Sequence, residues 1–296
     1  MNTPRSPQSS VSLGATLYTP ATHPRLTELI SGARLSEARS LVICTEDAIA
    51  SHDLERALDQ ISSALDSLDE VRPQCFLRPR DLTTLAELLR RGDAQRFSGV
   101  VLPKIDEHNI RDYGELLALA PELSLMPTVE GEVAFYRARL EKLREALGEI
   151  SNRVLCVRVG GNDLLQLLGI KRPPQFTIYE TPLRSTLNDL IVTFRPAGYE
   201  LSAPVFDYLN DEETLRREVE LDLAYGLVTK TAIHPRQISV IERLYRVTPS
   251  EINLARSLTS ERAPAVFQMS DQMCEPSTHR AWAERLLERA ACFGVS

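Results

Sequence analysis

Two acidic residues stand where apolar runs of the chain end. Glu130 directly follows the run 124–129, and Asp163 follows the run 154–159 after a pair of glycines. Carboxylate oxygens are the ligands that a hard divalent cation such as Mg²⁺ prefers, whereas zinc would favour histidine or cysteine. The pair therefore predicts a magnesium site, with manganese as the alternative metal, if the fold brings the two carboxylates together.

The residues just before Asp163 could contact a bound anion. Gly160 and Gly161 would let backbone amides approach it closely, and the helix start that follows adds positive potential. We therefore expect Gly161 and Asn162 to bind substrate. The alternative is a tight turn in which Asp163 only caps a helix over 164–168, and spacing alone does not decide between the two.

Cations follow two other apolar runs. Arg78 comes after Cys-Phe-Leu, and a guanidinium at the end of a buried strand needs an anionic partner. A substrate carboxylate would match its planar fork, and an internal salt bridge to Glu46 or Asp47 is the alternative. Lys104 is a candidate for substrate binding. We disfavour a Schiff-base role for it, because acidic surroundings would raise its pKa.

The elements that must position these residues alternate between short, apolar, β-branched runs and longer stretches of helical spacing. Such alternation is typical of parallel βαβ units. We predict helices that include 54–68, 82–91, 131–147, 183–194 and 213–225. We predict strands over 15–19, 40–45, 74–77, 99–103, 124–129, 154–159, 201–206 and 227–230. Eight strands favour an α/β fold of the (β/α)₈ TIM-barrel type, and an open doubly wound sheet is the alternative.

The active site of such a barrel lies at the carboxyl ends of its strands. The polar residues that follow the predicted strands should therefore form one group: Glu46, Asp47, Arg78, Arg80, Lys104, Glu130, Asp163, Asp207, Lys230 and His234. For His234, a packed turn position is as good an interpretation as a ligand.

The predicted barrel leaves segments at both ends of the chain. We assign residues 1–13, which are rich in serine and proline, to a disordered arm and not to a secretory signal. Residues 14–248 form the barrel. Residues 249–296 form a helical extension that packs on the barrel or on a neighbouring subunit. No apolar run is long enough for a membrane-spanning helix.

The composition of the chain limits the classes of partner that it can bind. A formal net charge of -7 over 296 residues argues against nucleic acid or an anionic membrane, yet it allows a local pocket for a small anionic substrate. Five cysteines, without a C-x-x-C pair, indicate structural thiols and a reducing, cytoplasmic setting.

Six segments, in order, carry a resemblance to a known family. They are Cys44-Thr45-Glu46-Asp47-Ala48, Leu77-Arg78, Val101-Leu102-Pro103-Lys104, Thr128-Val129-Glu130, Gly161-Asn162-Asp163-Leu164 and Lys230-Thr231-Ala232-Ile233-His234-Pro235-Arg236-Gln237. Over roughly residues 14–250 the chain resembles a divergent member of the citrate lyase beta-subunit-like branch of the HpcH/HpaI aldolase superfamily.

The resemblance implies a magnesium-dependent carbon–carbon lyase that acts on 2-hydroxy or 3-hydroxy acids, often as coenzyme A thioesters. It implies Glu130 and Asp163 as metal ligands and Arg78 as the binder of the substrate carboxylate or carbonyl. Glu46 and Asp47 would be the acids that order water at the metal. It also implies a homo-oligomer, with a trimer favoured. Thioester hydrolysis, or ligand binding without turnover, are the alternatives.

The chain departs from the family pattern after the first strand, where Pro20-Ala21-Thr22-His23 replaces Pro-Gly, and at two further places. In thioester-using relatives a late segment supplies an aspartate as acid or base. The corresponding stretch here is Asp271-Gln272-Met273-Cys274-Glu275-Pro276, with Cys274 at the aspartate position. Arg80 adds a positive charge after the third strand. These departures leave the metal ligands intact and leave open whether coenzyme A is part of the substrate.

Overall fold

The computed structural model describes residues 9–269 and 271–296. Eight parallel strands form the central sheet, in the order β7-β6-β5-β4-β3-β2-β1-β8. An isolated parallel bridge between Ala203 and Lys230 joins β7 to β8, so the sheet closes into the predicted (β/α)₈ barrel. The strands are β1 (Ala15–Pro20), β2 (Ser40–Cys44), β3 (Gln74–Arg78), β4 (Gly99–Leu102), β5 (Ser124–Val129), β6 (Val157–Val159), β7 (Leu201–Ser202) and β8 (Lys230–Ala232).

Helices follow the strands around the outside of the barrel. The α-helices are α1 (Leu26–Ile30), α2 (Leu54–Asp66), α3 (Leu82–Arg91), α4 (Asn109–Leu117), α5 (Arg137–Gly148), α6 (Gly161–Leu167), α7 (Leu183–Phe194), α8 (Glu212–Ala224), α9 (Pro235–Leu244), α10 (Pro249–Thr259) and α11 (Pro276–Phe293). Local sequence explains α3 well: the Asp81 side chain accepts the N–H of Thr84, and Gly92 ends the helix with φ 82°.

The two faces of the strands build two separate apolar layers. Residues that point outward pack against the helices, as Val129 and Val159 do. The alternate residues fill the barrel interior with a cluster of Leu13, Val42, Phe76, Val101, Met126, Leu155 and Cys156. This alternation is what places the residues at the strand ends over a closed, packed floor.

Two predicted elements have different boundaries in the structure. The helix predicted over 131–147 breaks at Tyr136, which is extended (φ -127°, ψ 104°) and separates a 3₁₀ turn (Glu132–Phe135) from α5. The prediction of β8 over 227–230 is wrong, because Leu227 packs in the outer core before the strand begins at Lys230. Lys230 therefore opens the last strand and does not close it.

The start of the chain is also more ordered than we expected. Residues 1–8 of the predicted arm lie outside the described residues. Ser10–Leu13 form a 3₁₀ helix, so the prediction of disorder is wrong for these four residues. Leu13 explains the difference, because it is fully buried in the interior cluster at the amino end of the barrel.

The predicted helical extension contains a hairpin as well as helices. β9 (Phe267–Met269) pairs antiparallel with β10 (Gln272–Cys274) between α10 and α11. The extension has its own small core, which includes Leu258, Cys274 and Leu286. Its end returns to the barrel, where Phe293 stacks on Tyr245 at a ring distance of 5.1 Å. The division of the chain at residue 248 stays a prediction.

The positions of the cysteines agree with the prediction that their thiols are structural. Cys44, Cys75, Cys156 and Cys274 are buried, and all five cysteines are free. Burial raises the pKa of the thiols of Cys44, Cys75 and Cys156. Among the described helices, none combines the length and the apolar character needed to cross a membrane.

Candidate active site

Six of the predicted site residues meet at the carboxyl ends of β2 to β6. We call this group the carboxylate cup: Glu46, Asp47, Arg78, Lys104, Glu130 and Asp163. Four carboxyl groups thus face two cations in a partly buried space. Such an excess of negative charge is costly unless a further cation or a proton joins the cup.

Arg78 is the centre of the cup. Its Nη2 lies 2.8 Å from Glu46 Oε2, 2.9 Å from Glu130 Oε1 and 3.6 Å from Asp47 Oδ2. The internal salt bridge expected as an alternative is therefore present. Nη2 alone makes all of these contacts, however. Among residues 9–269 and 271–296, Nε is buried without a partner and Nη1 makes no hydrogen bond. The guanidinium thus keeps a donor for a substrate.

Glu130 is fixed by two donors on one oxygen. Its Oε1 accepts from Arg78 Nη2 and from the backbone N–H of Lys104, both at 2.9 Å. Burial raises the pKa of Glu130 to about 7; Arg78 opposes this rise and Asp163 adds to it. Within the described part of the chain, Oε2 makes no hydrogen bond to a protein donor, which leaves it for a metal ion.

Gly160 is required by the position of Glu130. A Cβ built on Gly160 would lie 2.4 Å from both Cβ and Oε2 of Glu130, closer than any real contact allows. A Cβ on Gly161 would instead lie 2.9 Å from Pro204 Cβ. The glycine pair therefore serves close packing of the two strand ends. Contact of Gly161 and Asn162 with substrate stays a prediction.

Asp163 lies inside the first turn of α6, which begins at Gly161 with Gly160 as its cap residue. The alternative in which Asp163 caps a helix over 164–168 is therefore wrong. Burial raises the pKa of Asp163, Asp47 raises it further, and Arg78 and Lys104 oppose the rise. The charged groups that act on Asp163 are thus members of the cup, and no ion pair to Asp163 exists among the described residues.

Lys104 closes the cup on the side of Glu46 and Asp47. Its Nζ donates to both carboxylates. Burial alone would lower the pKa of Lys104, but these carboxylates outweigh it and raise the pKa. A protonated amine is a poor nucleophile, so the structure opposes the Schiff-base role. Lys104 also has φ 49°, a left-handed conformation that aims its N–H at Glu130.

Glu46 and Asp47 titrate as a pair. Burial raises the pKa of Glu46, and its hydrogen bond with Asp47 adds to this rise. Burial by itself would raise the pKa of Asp47, but Glu46, Arg78 and Lys104 outweigh it. The pKa of Asp47 is therefore lowered. Glu46 is thus the member that holds a proton more readily, and Asp47 is the member that stays ionised.

Four predicted members lie outside the cup. Arg80 braces the loop after β2 by donating to the carbonyl oxygens of Glu46 and Ile49. His234 caps α9 by accepting the N–H of Arg236. Asp207 lies 3.5 Å from Arg172 Nε. None of these three side chains makes a hydrogen bond or an ion pair with a carboxylate or cation of the cup among the described residues, so their place in the site stays a prediction.

Lys230 is the clearest error among the predicted site residues. It is fully buried behind the barrel wall, where its Nζ donates to Glu218 Oε1 at 2.9 Å and to Asp222 Oδ2 at 2.8 Å. Arg172 also pairs with Glu218, at 2.8 Å. Since β8 begins at Lys230, its side chain faces α8 and not the strand ends.

Sequence reasoning missed two residues beneath the cup. Tyr18 and Arg158 point into the barrel interior, where the Arg158 guanidinium lies 5.3 Å from the centre of the Tyr18 ring. Arg78 lies 5.9 Å from the same centre. The sequence did contain a signal for Arg158. In the segment Cys156-Val157-Arg158-Val159, strand alternation directs both valines outward and therefore directs the arginine inward.

The donor set fits magnesium. Glu130 Oε2 and the Asp163 carboxylate offer hard oxygen ligands, and the surplus of two carboxylates over cations matches a divalent ion. The described residues contain no cluster of three or more His, Cys, Asp and Glu side chains arranged to hold a metal. Two carboxylates with water in the remaining positions suit magnesium, whereas zinc would need more protein ligands.

Comparison with known proteins identifies the family. The family of carbon–carbon bond lyases of the TIM-barrel fold matches the chain over residues 7–295. The chain belongs to this family. Its members share the closed barrel described above, and the match extends through the C-terminal extension. Membership in the carbon–carbon bond lyase family confirms the predicted fold class and the predicted class of enzyme.

Individual relatives of this lyase are distant but cover most of it. A (3S)-malyl-CoA thioesterase of Cereibacter sphaeroides is 25% identical over 95% of this chain and 96% of that protein. The citrate lyase subunit beta of Leuconostoc mesenteroides is 24% identical, covering 88% and 87%. The structure of CitE from Mycobacterium tuberculosis, in complex with magnesium, acetoacetate and coenzyme A, superposes with a TM-score of 0.72 at 21% identity, covering 95% and 99%.

Proposed function

We propose that this lyase uses Mg²⁺ to cleave or form the carbon–carbon bond next to the hydroxyl-bearing carbon of a hydroxy acid or of its coenzyme A thioester. The observation that supports this most is the placement of Glu130 and Asp163 after adjacent strands, with Arg78 paired to Glu130. Solved relatives from Mycobacterium tuberculosis contain magnesium with oxaloacetate or with pyruvate. Manganese is expected to substitute for magnesium at the same oxygens.

The residues of the chain have distinct tasks in this reaction. Glu130 and Asp163 would hold the metal ion, which when bound would polarise a substrate carbonyl. Arg78 binds the substrate carboxylate or carbonyl through Nη1 and stabilises the negative charge that cleavage leaves on the enolate. Asp47 accepts the proton of the substrate hydroxyl, and Glu46 donates its own proton to the carbanion. The hydrogen bond between the two side chains then passes the proton from Asp47 to Glu46, which restores the pair.

Thioester hydrolysis is the second candidate. It is favoured by the likeness to a (3S)-malyl-CoA thioesterase that spans both chains almost completely. The same cup would serve, since hydrolysis also places negative charge on a carbonyl oxygen. Cys274 is buried in the core of the extension, so in one chain it does not take the place of the family aspartate in the cup.

The setting of the enzyme is also a proposal. We expect a cytoplasmic homo-oligomer, with a trimer favoured, in which the extension of one copy approaches the cup of a neighbour. The partner of the cup is a small anionic substrate, because Arg78 and Lys104 are its only charged donors among the described residues.

Product analysis distinguishes the two candidate reactions. The purified chain with Mg²⁺ would be tested on citrate, malyl-CoA and citramalyl-CoA. Lyase activity yields an oxo acid plus the shortened acid or its thioester, whereas hydrolysis yields the intact hydroxy acid plus free coenzyme A. We expect the first outcome and its loss when EDTA removes the metal. Hydrolysis alone would support the second candidate, and tight ligand binding without turnover would contradict both.

Magnesium affinity is expected to depend on pH. With its pKa raised to about 7, Glu130 is protonated below that pH and must lose the proton before it binds a metal ion. We expect the apparent Kd for Mg²⁺ to be about tenfold weaker at pH 6 than at pH 8. Calorimetry in two buffers that differ in ionisation enthalpy would show the released proton. An affinity that stays constant over this range would contradict the role of Glu130.

A further inference from the structure

Arg158 is a buried cation without an anionic partner. Its side chain is 1% exposed. Nη2 donates to Thr231 Oγ1 at 2.7 Å, Nη1 lies 3.6 Å from Met126 Sδ, and Nε has no hydrogen-bond partner. No carboxylate forms an ion pair with it among residues 9–269 and 271–296. Every other buried arginine discussed above has a carboxylate beside it.

A buried guanidinium in such surroundings is energetically costly. Hydroxyl, thioether and ring contacts replace only part of the hydration that burial removes, and a full charge in the interior normally requires a counter-charge. In the described part of the chain, this counter-charge is missing. An anionic group of a ligand can supply it.

A second unsatisfied polar group lies beside Arg158. Thr128 on β5 is the register partner of Arg158 on β6, so both side chains face the barrel interior. Thr128 is 4% exposed, and its hydroxyl has no hydrogen-bond partner. Arg158 and Thr128 are therefore neighbours on paired strands, and each has a buried donor without a hydrogen-bond partner among the described residues. The arginine Nε and the threonine hydroxyl can both donate to a carboxylate.

These groups lie directly under the carboxylate cup. Glu130 directly follows β5, two residues beyond Thr128, and the alternation of the strand directs both side chains to the same side. Tyr18 lies between the two arginines, with its ring near both guanidiniums. Tyr18 is partly buried and packs against the interior cluster, so it separates the cup from the apolar floor below it.

We propose that Arg158 and Thr128 form a second anion subsite beneath the metal ligands, which receives a further carboxylate of the substrate. The inference rests on the proposed function, since that function places the carbonyl end of the substrate in the cup. It adds that the substrate is a dianionic acid. Arg158 is then a residue that determines specificity, and Tyr18 is the side chain that the substrate displaces or lies against.

The test compares two ligands that differ by one carboxylate. Freshly dissolved oxaloacetate and pyruvate would be titrated at low temperature into the full chain with Mg²⁺, using calorimetry. We expect oxaloacetate to bind about tenfold to a hundredfold more tightly than pyruvate. In Arg158→Met this preference is expected to fall to about twofold, with a much smaller change in pyruvate affinity. A preference that survives in Arg158→Met overturns the proposal.

A second variant covers the case in which Arg158→Met does not fold. Thr128→Val has the same shape and removes a hydroxyl that has no partner to lose. We expect it to fold normally and to reduce the preference for oxaloacetate about threefold. An unchanged preference in a folded Thr128→Val, together with unfolded Arg158→Met, would assign both residues a structural role and overturn the proposal.

The outcomes separate this inference from the proposed function. If the wild type prefers oxaloacetate through Arg158 yet turns over no hydroxy acid, the proposed function fails and the subsite stands. If it cleaves a hydroxy acid but the preference is the same in both variants, only the subsite fails. Failure to bind either acid overturns both.

Discussion

Replacing Asp163 with asparagine is expected to abolish magnesium binding and to reduce turnover by about a thousandfold. The substitution keeps the shape of the side chain and removes the charge that would attract the cation. Loss of a metal ion that stabilises several kcal/mol of developing charge corresponds to a factor of this size. Glu130→Gln should have the same effect on the metal.

The fold of the Asp163→Asn protein should survive. Burial and Asp47 raise the pKa of Asp163, so in the metal-free protein its negative charge is destabilising. Removing the charge should therefore leave the metal-free Tm unchanged or slightly higher. Magnesium should raise the Tm of the wild type but not that of the variant, because only the wild type binds it. Asp207→Asn is the matched control, since Asp207 follows a strand but lies outside the cup.

Calorimetry with Mg²⁺ and a thermal scan with and without the metal would measure both effects. Unchanged magnesium affinity in both Asp163→Asn and Glu130→Gln would disprove the assignment of the ligands. A large fall in the metal-free Tm would instead show that the carboxylates have a structural role.

The second large effect concerns stability. Lys230→Met is expected to lower the free energy of unfolding by about 3–5 kcal/mol, because it leaves the buried carboxylates of Glu218 and Asp222 without their shared cation. Both carboxylates and Lys230 are fully buried. Lys142→Met, on the exposed face of α5, is the matched control and should cost less than about 1 kcal/mol.

The loss in the free energy of unfolding caused by Lys230→Met should depend on pH in a defined direction. Burial raises the pKa of Asp222 to about 6, and Lys230 opposes that rise, so removing Lys230 raises the pKa further. When folding raises the pKa of a carboxyl group, the folded protein loses stability as the pH rises through that pKa. The deficit should thus be larger at about pH 8 than at about pH 5, and adding Asp222→Asn should recover part of it. Urea unfolding measures each value, and a deficit below about 1 kcal/mol would contradict a buried pair.

Much of the fold followed from periodicity. Strand positions near 74–77, 99–103 and 124–129 were predictable because buried parallel strands are short, apolar and β-branched. The helices near 82–91 and 183–194 have bounds that match the structure. Tyr136 shows the limit, since an apolar stripe continues through a residue at which the backbone leaves the helix.

The cup was predictable for a different reason. The ends of parallel strands converge, so Glu130, Asp163 and Arg78 had to be neighbours once the barrel was assigned. Lys230 was misplaced because a shift of three residues exchanges the two ends of a short strand. Only the three-dimensional structure shows that Glu218 and Asp222, one turn apart on α8, surround it.

The structure also shows features that the spacing of residues in the sequence could not predict. The need for glycine at position 160 depends on where the Glu130 side chain lies, and no local pattern contains that information. Arg158 could have been noticed as a charge on the inward face of a strand. That no carboxylate pairs with Arg158 in the described part of the chain is visible only when its neighbours are known.

The closure of the barrel has a consequence for the kinetics of folding. The pairing of Ala15 with Lys230 joins positions more than two hundred residues apart in the chain, so this step is among those with the highest loop entropy. We expect the buried charges around Lys230 to lose their hydration only when this last strand docks, so that their interactions form after the transition state. Lys230→Met should therefore act mainly by speeding unfolding, with little effect on the rate of folding.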